Sequence, residues 1–298
     1  MATPLAKGDW VTEEIVPGWR QQMLVDEVMV EERNDLGHRA VFKNQALGDV
    51  LLIEDRIQLT SRDEHAYHEM FTHVPIVGHG KVKDVLIIGG GDGASLREVL
   101  KHRTLRVTLV DIDPGIIAFS KKFLPTLHRE AWDDARATVV IADGSAFVVN
   151  TQDKFDVIIV DSTDPVPDGP SAVLYQEQFY RDCKGCLRPG GIIVTQNGHP
   201  NFEEYPAVAL GNLAKVFTNT TLYQFCVPTY MGGLQSFGWA SDDASILDVA
   251  VKTLEERWAA TGITDCRVYT PAYGKASFVL PRWMQEIVDA AAKAAKGA

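Results

Sequence analysis

The chain has 298 residues, 46% of them hydrophobic, enough for one large core or a large domain with a small one. Its formal net charge of −11, with no Lys/Arg cluster, argues against nucleic acid and permits a cationic ligand. Four cysteines are too few and too uneven for a disulfide framework, and no apolar run approaches the ~20 residues of a membrane span, so a cytoplasmic protein is expected.

The opening MATPLAKGDW has no signal-peptide core. The first seventy residues are β-rich. RAVFKNQALGDVLLIEDRIQLT (39–60) places two β-branched runs around NQALGD, a hairpin signal. DEHAYHEMFTHVPIV (63–77) is helical and is expected to stop near Pro75. In HEMFTH, His68 and His73 stand five apart, not the four that puts both on one face of an HExxH helix, so no zinc is expected there. His65 reads as a surface or packing residue.

From Val82 strand and helix alternate. VKDVLIIGGG, RVTLVDID, ATVVIAD, FDVIIVD and GGIIVTQNG read as strands. ASLREVLKH, PGIIAFSKKFL, GSAFVVN and LYQEQFYRDCKGCL read as the helices between them. This βαβ spacing predicts a parallel doubly wound sheet covered by helices, an α/β fold. TTLYQFCV and LQSFGWAS read as final strands, an antiparallel pair, and the Ala/Lys-rich tail as a fraying helix end. Cys183 and Cys186 in CKGC read as two small buried residues on one helix, since no second ligand pair stands nearby.

Ligands of a doubly wound sheet bind outside the carboxyl ends of its strands. The residues there are Gly89–Gly93, Asp111, Asp143, Asp161 and Gln196. In GGGDGA, Gly89 and Gly91 allow a sharp turn and close approach of a ligand. Gly89, Gly91 and Ala94 also satisfy the dinucleotide form GxGxxA. Asp92 decides between the two: inside the loop it would repel a pyrophosphate but welcome a phosphate-free nucleoside bearing a positive charge, such as an S-adenosyl sulfonium. Asp111, about 20 residues on, has the spacing for gripping ribose hydroxyls. Asp143 can accept from an adenine amino group while the amides from Gly144 onward face the ring, and it can equally cap a helix. DSTDP then offers Asp161 and Asp164, a pair that fits a helix cap, a metal site or a cation clamp.

With TSRDEHAYHEMFTHVP, VLIIGGGDGASLREVLKH, VDID, DSTDP, LRPGGIIVTQNG and VPTYMGG, the chain closely resembles the spermidine synthases, the polyamine aminopropyltransferases, over about residues 20 to 285. The resemblance implies a small N-terminal β domain (1–72) and a Rossmann-like catalytic domain (73–298) of the class I methyltransferase type. It implies a homodimer or homotetramer. The reaction it implies moves an aminopropyl group from decarboxylated S-adenosylmethionine to putrescine, giving spermidine and methylthioadenosine. Asp161 is similar to that family's catalytic base, and Asp164 and Asp92 to its amine-holding carboxylates. Tyr67, His68, Tyr230, Gln196 and Gln58 match its amine and aminopropyl site. Asp111 and Asp143 match its ribose and adenine contacts, and Pro170 resembles a proline of the adenine-side loop. Three positions depart from the pattern: Gly37 stands where relatives carry glutamine, Asp111 where glutamate is more usual, and the 162–174 loop is about one residue longer.

The implied chemistry needs no metal or cofactor, because a sulfonium departs as a neutral thioether. Other amine acceptors (1,3-diaminopropane, cadaverine, spermidine) and small-molecule methyl transfer are the competing expectations. Asp92 opposes methyl transfer, since it would repel the carboxylate of intact S-adenosylmethionine.

Overall fold

A computed structural model describes residues 4–34, 37–164, 171–201 and 205–297. The chain opens with a hairpin, β1 (Trp10–Val16) and β2 (Trp19–Leu24). A four-stranded antiparallel sheet follows: β3 (Glu27–Asn34), β4 (Gly37–Asn44), β5 (Gly48–Ile53) and β6 (Arg56–Thr60). The expected hairpin is β4–β5. The run after it breaks into two strands at Glu54 and Asp55, which both adopt positive φ. The middle of β4 is buried on both faces. Ala40 and Phe42 pack with Val11 and Met23, while Val41 packs with Phe119, Leu124 and Leu127. The small sheet is thus pinned between the hairpin and the larger sheet's helices.

Helix α1 (Glu64–His79) does not stop at Pro75 but runs through it to Gly80, whose left-handed backbone ends it. The proline ring removes one intrahelical hydrogen bond. Burial outweighs that loss: α1 is buried from Ala66 to Val77, with Met70 and Phe71 wholly covered.

The strands and helices that follow are β7 (Asp84–Gly89), α2 (Ala94–Lys101), β8 (Arg106–Asp111), α3 (Pro114–Phe123), α4 (Pro125–His128), β9 (Ala137–Ile141), α5 (Gly144–Asn150), β10 (Phe155–Asp161), α6 (Glu177–Cys186), β11 (Leu187–Gln196), α7 (Tyr205–Val216), β12 (Asn219–Cys226), β13 (Leu234–Ser241), α8 (Val251–Thr261), α9 (Pro271–Ala276) and α10 (Arg282–Lys296). Among the described residues the sheet has seven strands, ordered β12-β13-β11-β10-β7-β8-β9. Strands β11 to β9 are parallel and β12–β13 is an antiparallel extension, as expected. The fold is α/β, Rossmann-like, behind a small N-terminal β region.

Both faces of the sheet are covered, so its central strands are continuously apolar. Val85, Ile87, Val157 and Ile159 face one core, and Leu86, Ile88, Ile158 and Val160 the other. Cys183 and Cys186 are both buried on α6, as expected. Among the described residues no helix is long and apolar enough to cross a membrane.

Candidate active site

The chain winds from β7 outward through β8 to β9, then crosses back to place β10 on the other side of β7. The order reverses between β7 and β10, and the crevice beyond their ends is where this fold binds ligands. Gly89 and Asp161 are register partners at that point. Gly89 has φ +83°, and a side chain there would put Cβ 2.1 Å from the Asp161 carbonyl oxygen. The amide of Gly90 donates to that same carbonyl at 3.0 Å. The glycine run therefore lies flat against the end of β10, and only glycine fits at position 89.

Asp161 is held by two donors. The Tyr67 hydroxyl on α1 donates to Oδ1 at 3.2 Å, and the Ser95 hydroxyl on α2 donates to Oδ2 at 2.6 Å. Burial and the charge of Asp92 raise its pKa, against the opposing pull of His68, Ser95 and Tyr67, to about 6. Tyr67 sits in an aromatic box with Phe71, Phe225, Tyr230 and Phe237. Burial holds its phenol well above the usual range, so it remains a donor.

Asp92 accepts from the Ala94 amide through Oδ1 at 2.7 Å, and its Oδ2 lies 3.9 Å from Nε2 of His68. Burial alone would push His68 down, but its hydrogen bond to Glu64 and the charges of Asp92, Glu64 and Asp161 carry it up to about 9. An imidazolium therefore sits beside Asp92 at neutral pH.

Asp164 accepts at Oδ1 from Gln196 Nε2 at 2.5 Å and from the Tyr205 hydroxyl at 2.7 Å. Tyr175 donates to Oε1 of Gln196 at 2.8 Å, which orients the amide. Tyr230 donates to the backbone oxygen of Gln58. It is the Gln58 carbonyl that touches the site residues; its side-chain amide turns to the carbonyl of Arg56.

Across β8, Asp111 Oδ1 accepts from the Asp113 amide at 2.8 Å, and a Cβ on Gly91 would come within 2.7 Å of Oδ2. Burial raises Asp111 to about 6. Asp143 does cap α5: Oδ1 accepts from the amides of Ser145 and Ala146 and from the Ser145 hydroxyl. Its Oδ2 accepts from no described residue, so capping leaves one oxygen for a ligand. Gly144 opens α5 beside it. At Gly37 the space a side chain would take holds the Glu54 carboxylate, 1.7 Å from where Cβ would stand. Pro170 and residues 165–169 lie outside the described residues.

The family model described as "Spermine/spermidine synthase domain" matches residues 64–249. The polyamine aminopropyltransferase of Erwinia tasmaniensis is 42% identical over 94% of this chain and 98% of that protein. That of Pseudomonas syringae pv. tomato is 43% identical over 94% and 97%. The chain belongs to the spermine/spermidine synthase family. Among solved structures, a spermidine synthase in complex with the transition-state analogue AdoDATO matches with a TM-score of 0.88 at 31% identity, covering 96% of each chain. The Thermotoga maritima spermidine synthase matches at 0.85 and 30%, covering 95% of each. Membership makes this chain an aminopropyltransferase.

Three contacts of this synthase-family site escape a reading of the sequence. Ser95 reaches Asp161 from the first turn of α2, in the residue after the glycine loop. Arg97 clamps both oxygens of Glu64 at 3.0 and 2.9 Å, and Glu64 in turn holds Nδ1 of His68 at 2.9 Å. Glu13 of the hairpin is buried, accepts from the Ile57 amide at 2.9 Å, and feels the charge of Asp164. Only Ser95 carried a local signal, a hydroxyl directly after the GGGDGA loop.

Proposed function

We propose that this chain transfers the aminopropyl group of decarboxylated S-adenosylmethionine to putrescine, giving spermidine and 5'-methylthioadenosine. One observation carries the reading: Asp161, its pKa raised, lies between a phenol and a hydroxyl at the strand-order reversal, with Asp92 beside it. A pyrophosphate site has no use for that charge.

The acceptor amine resembles a lysine side chain, with a pKa of about 10.4, so only about one molecule in 10³ is neutral at pH 7. Deprotonation costs roughly 4–5 kcal/mol in water. Asp164, oriented by Gln196 and Tyr205, anchors the ammonium, with Tyr230 and the Gln58 carbonyl lining the same cleft. As the amine nitrogen attacks the methylene next to sulfur, an N–C bond forms and the C–S bond breaks. The electron pair leaves on sulfur as a neutral thioether, and the amine proton passes to Asp161. A carboxylate with a pKa near 6 is a stronger base than an ordinary aspartate, and it is still ionised at pH 7. Base catalysis of this kind typically contributes ~10²- to 10⁴-fold.

The donor's nucleoside lies along Gly89 and Gly91, with Asp111 on the ribose diol and Asp143 and Gly144 at the adenine. Asp92 and Tyr67 hold the aminopropyl arm, whose ammonium pairs with Asp92. His68, charged, stands 3.9 Å from Asp92 on the other side. Intact S-adenosylmethionine would bring a carboxylate against Asp92, which sets the donor choice. No step calls for a metal or a cofactor. A homodimer or homotetramer in the cytoplasm belongs to the same reading.

The test is to incubate the purified protein with decarboxylated donor and, separately, putrescine, 1,3-diaminopropane, cadaverine and spermidine, and to weigh the products. Spermidine with methylthioadenosine, formed fastest from putrescine, is expected. A methylated amine, or no methylthioadenosine, contradicts the reading; a faster rate with another amine moves the acceptor and leaves the reaction.

A further inference from the structure

On the side of α1 away from the cleft, three chain segments bring metal-ligating atoms together. His73 comes from α1, Glu98 from α2, and Cys266 from the stretch between α8 and α9. One donor atom from each lies within 4.8 Å of the other two. His73 Nε2 is 2.9 Å from Glu98 Oε2 and 3.3 Å from Cys266 Sγ. None of these residues belongs to the transfer chemistry above.

We propose that His73, Glu98 and Cys266 form a binding site for a thiophilic divalent cation of the zinc class. Zinc takes imidazole nitrogen, carboxylate oxygen and thiolate sulfur at about 2.0–2.3 Å in a tetrahedron, which sets donor atoms about 3.3–3.6 Å apart. The two spacings from His73 are within half an ångström of that, and the Glu98 and Cys266 atoms, within 4.8 Å of each other, close on the ion by side-chain adjustment. The thiol proton leaves to solvent as the S–Zn bond forms, and the neutral imidazole binds through the Nε2 lone pair with its one N–H on Nδ1, toward His102.

The surroundings match what a bound ion needs. His73 Nδ1 is 3.0 Å from His102 Nε2, the outer hydrogen bond that metal-bound imidazoles use to fix their orientation. Arg97 Nε holds the second Glu98 oxygen, Oε1, at 2.8 Å. The rings of Trp258 and Tyr269 wall the imidazole at 5.1 and 5.3 Å between centroids. A cavity of about 250 Å³ is lined by Glu98 with Lys101, Asp265 and Arg267, so it reaches the carboxylate end of the cluster. Lys101 is the competitor, 3.0 Å from Glu98 Oε2; it also lies 3.3 Å from Asp265, which can keep it when the ion enters.

The site stands one hydrogen-bond chain from the cleft. Arg97 bridges Glu98 and Glu64, and Glu64 holds His68.

Cobalt(II) added alone to the metal-free full chain tests the site, with no substrate present and no dependence on the transfer reaction. One equivalent is expected to give a thiolate-to-cobalt charge-transfer band that zinc displaces. Cys266→Ser is expected to abolish the band and Cys226→Ser to keep it. His102→Gln is expected to weaken zinc by about 10- to 100-fold. On the unmodified chain, zinc is expected to slow alkylation of Cys266 and not of exposed Cys226, a readout that needs no variant. Absence of the band, its persistence in Cys266→Ser, or equal alkylation of Cys266 with and without zinc overturns the proposal.

Discussion

The Ser95 hydroxyl donates to Oδ2 of Asp161 at 2.6 Å, from a position buried at the start of α2. A hydrogen bond to the charged form of an acid lowers its pKa. Ser95 therefore limits how far burial and Asp92 raise Asp161. Ser95→Ala removes that limit, and Asp161 moves above its value of about 6. A base protonated below its pKa is inactive there, so the acid limb of kcat/KM moves to higher pH. A bond to a charged group contributes about 1.5–3 kcal/mol, which sets the shift at roughly one to two pH units. A pH–rate profile of the variant checks it, and an unmoved acid limb would count against Asp161 as the titrating base.

Asp92 spends one oxygen on the Ala94 amide and turns the other toward His68. Asp92→Asn keeps the shape and removes the charge. The variant is expected to bind decarboxylated donor more weakly and to lose much of its preference over intact S-adenosylmethionine. Calorimetric affinities for both donors measure this; an unchanged ratio would free Asp92 from the donor choice.

Asp164 is oriented by Gln196 and Tyr205, a set of donors separate from the Tyr67 and Ser95 that hold Asp161. Asp164→Asn is expected to raise the KM for the amine roughly tenfold, the cost of one charge-assisted hydrogen bond. The kcat should fall less, because the base remains. Steady-state kinetics with the amine varied will show the split. A loss confined to kcat would move Asp164 from anchoring to chemistry.

Glu64 links the cleft to the fold's acid stability. Burial opposes its charge, but His68 and Arg97 hold it down at about 2. An unfolded glutamate titrates near 4.3, so the pair contributes stability that is fully present above that pH and lost as pH falls through about 2. The amount is on the order of 3 kcal/mol. Denaturant unfolding from pH 5 to pH 2 should show a shallower fall for Glu64→Gln than for the unmodified chain. Parallel curves would show that the Glu64 charge contributes no net stability.

Asp92, Asp111, Asp143 and Asp161 were legible because a doubly wound sheet sends its strand ends to one edge, and each of these residues lies at or just beyond such an end. Gly89 was legible because a backbone lying against another strand tolerates no side chain. Pro75 misled because local propensity favours a break there, while burial on both sides of α1 decides otherwise. The Ser95 bond depends on where α2 lands relative to β10, which register and packing set and no local pattern encodes. The approach of Cys266 to His73 is further out of reach, since 193 residues separate them. The carboxylate pair in DSTDP fitted a cap, a metal or a cation clamp; the donors around it and Asp92 beside it favour the clamp.

Asp161 carries the transfer chemistry, and a paired measurement on Asp161→Asn examines it without the base. Turnover with decarboxylated donor and putrescine is measured beside the equilibrium affinity for the donor alone. Turnover is expected to fall ~10²- to 10⁴-fold with donor affinity little changed. Turnover close to that of the unmodified enzyme would contradict it.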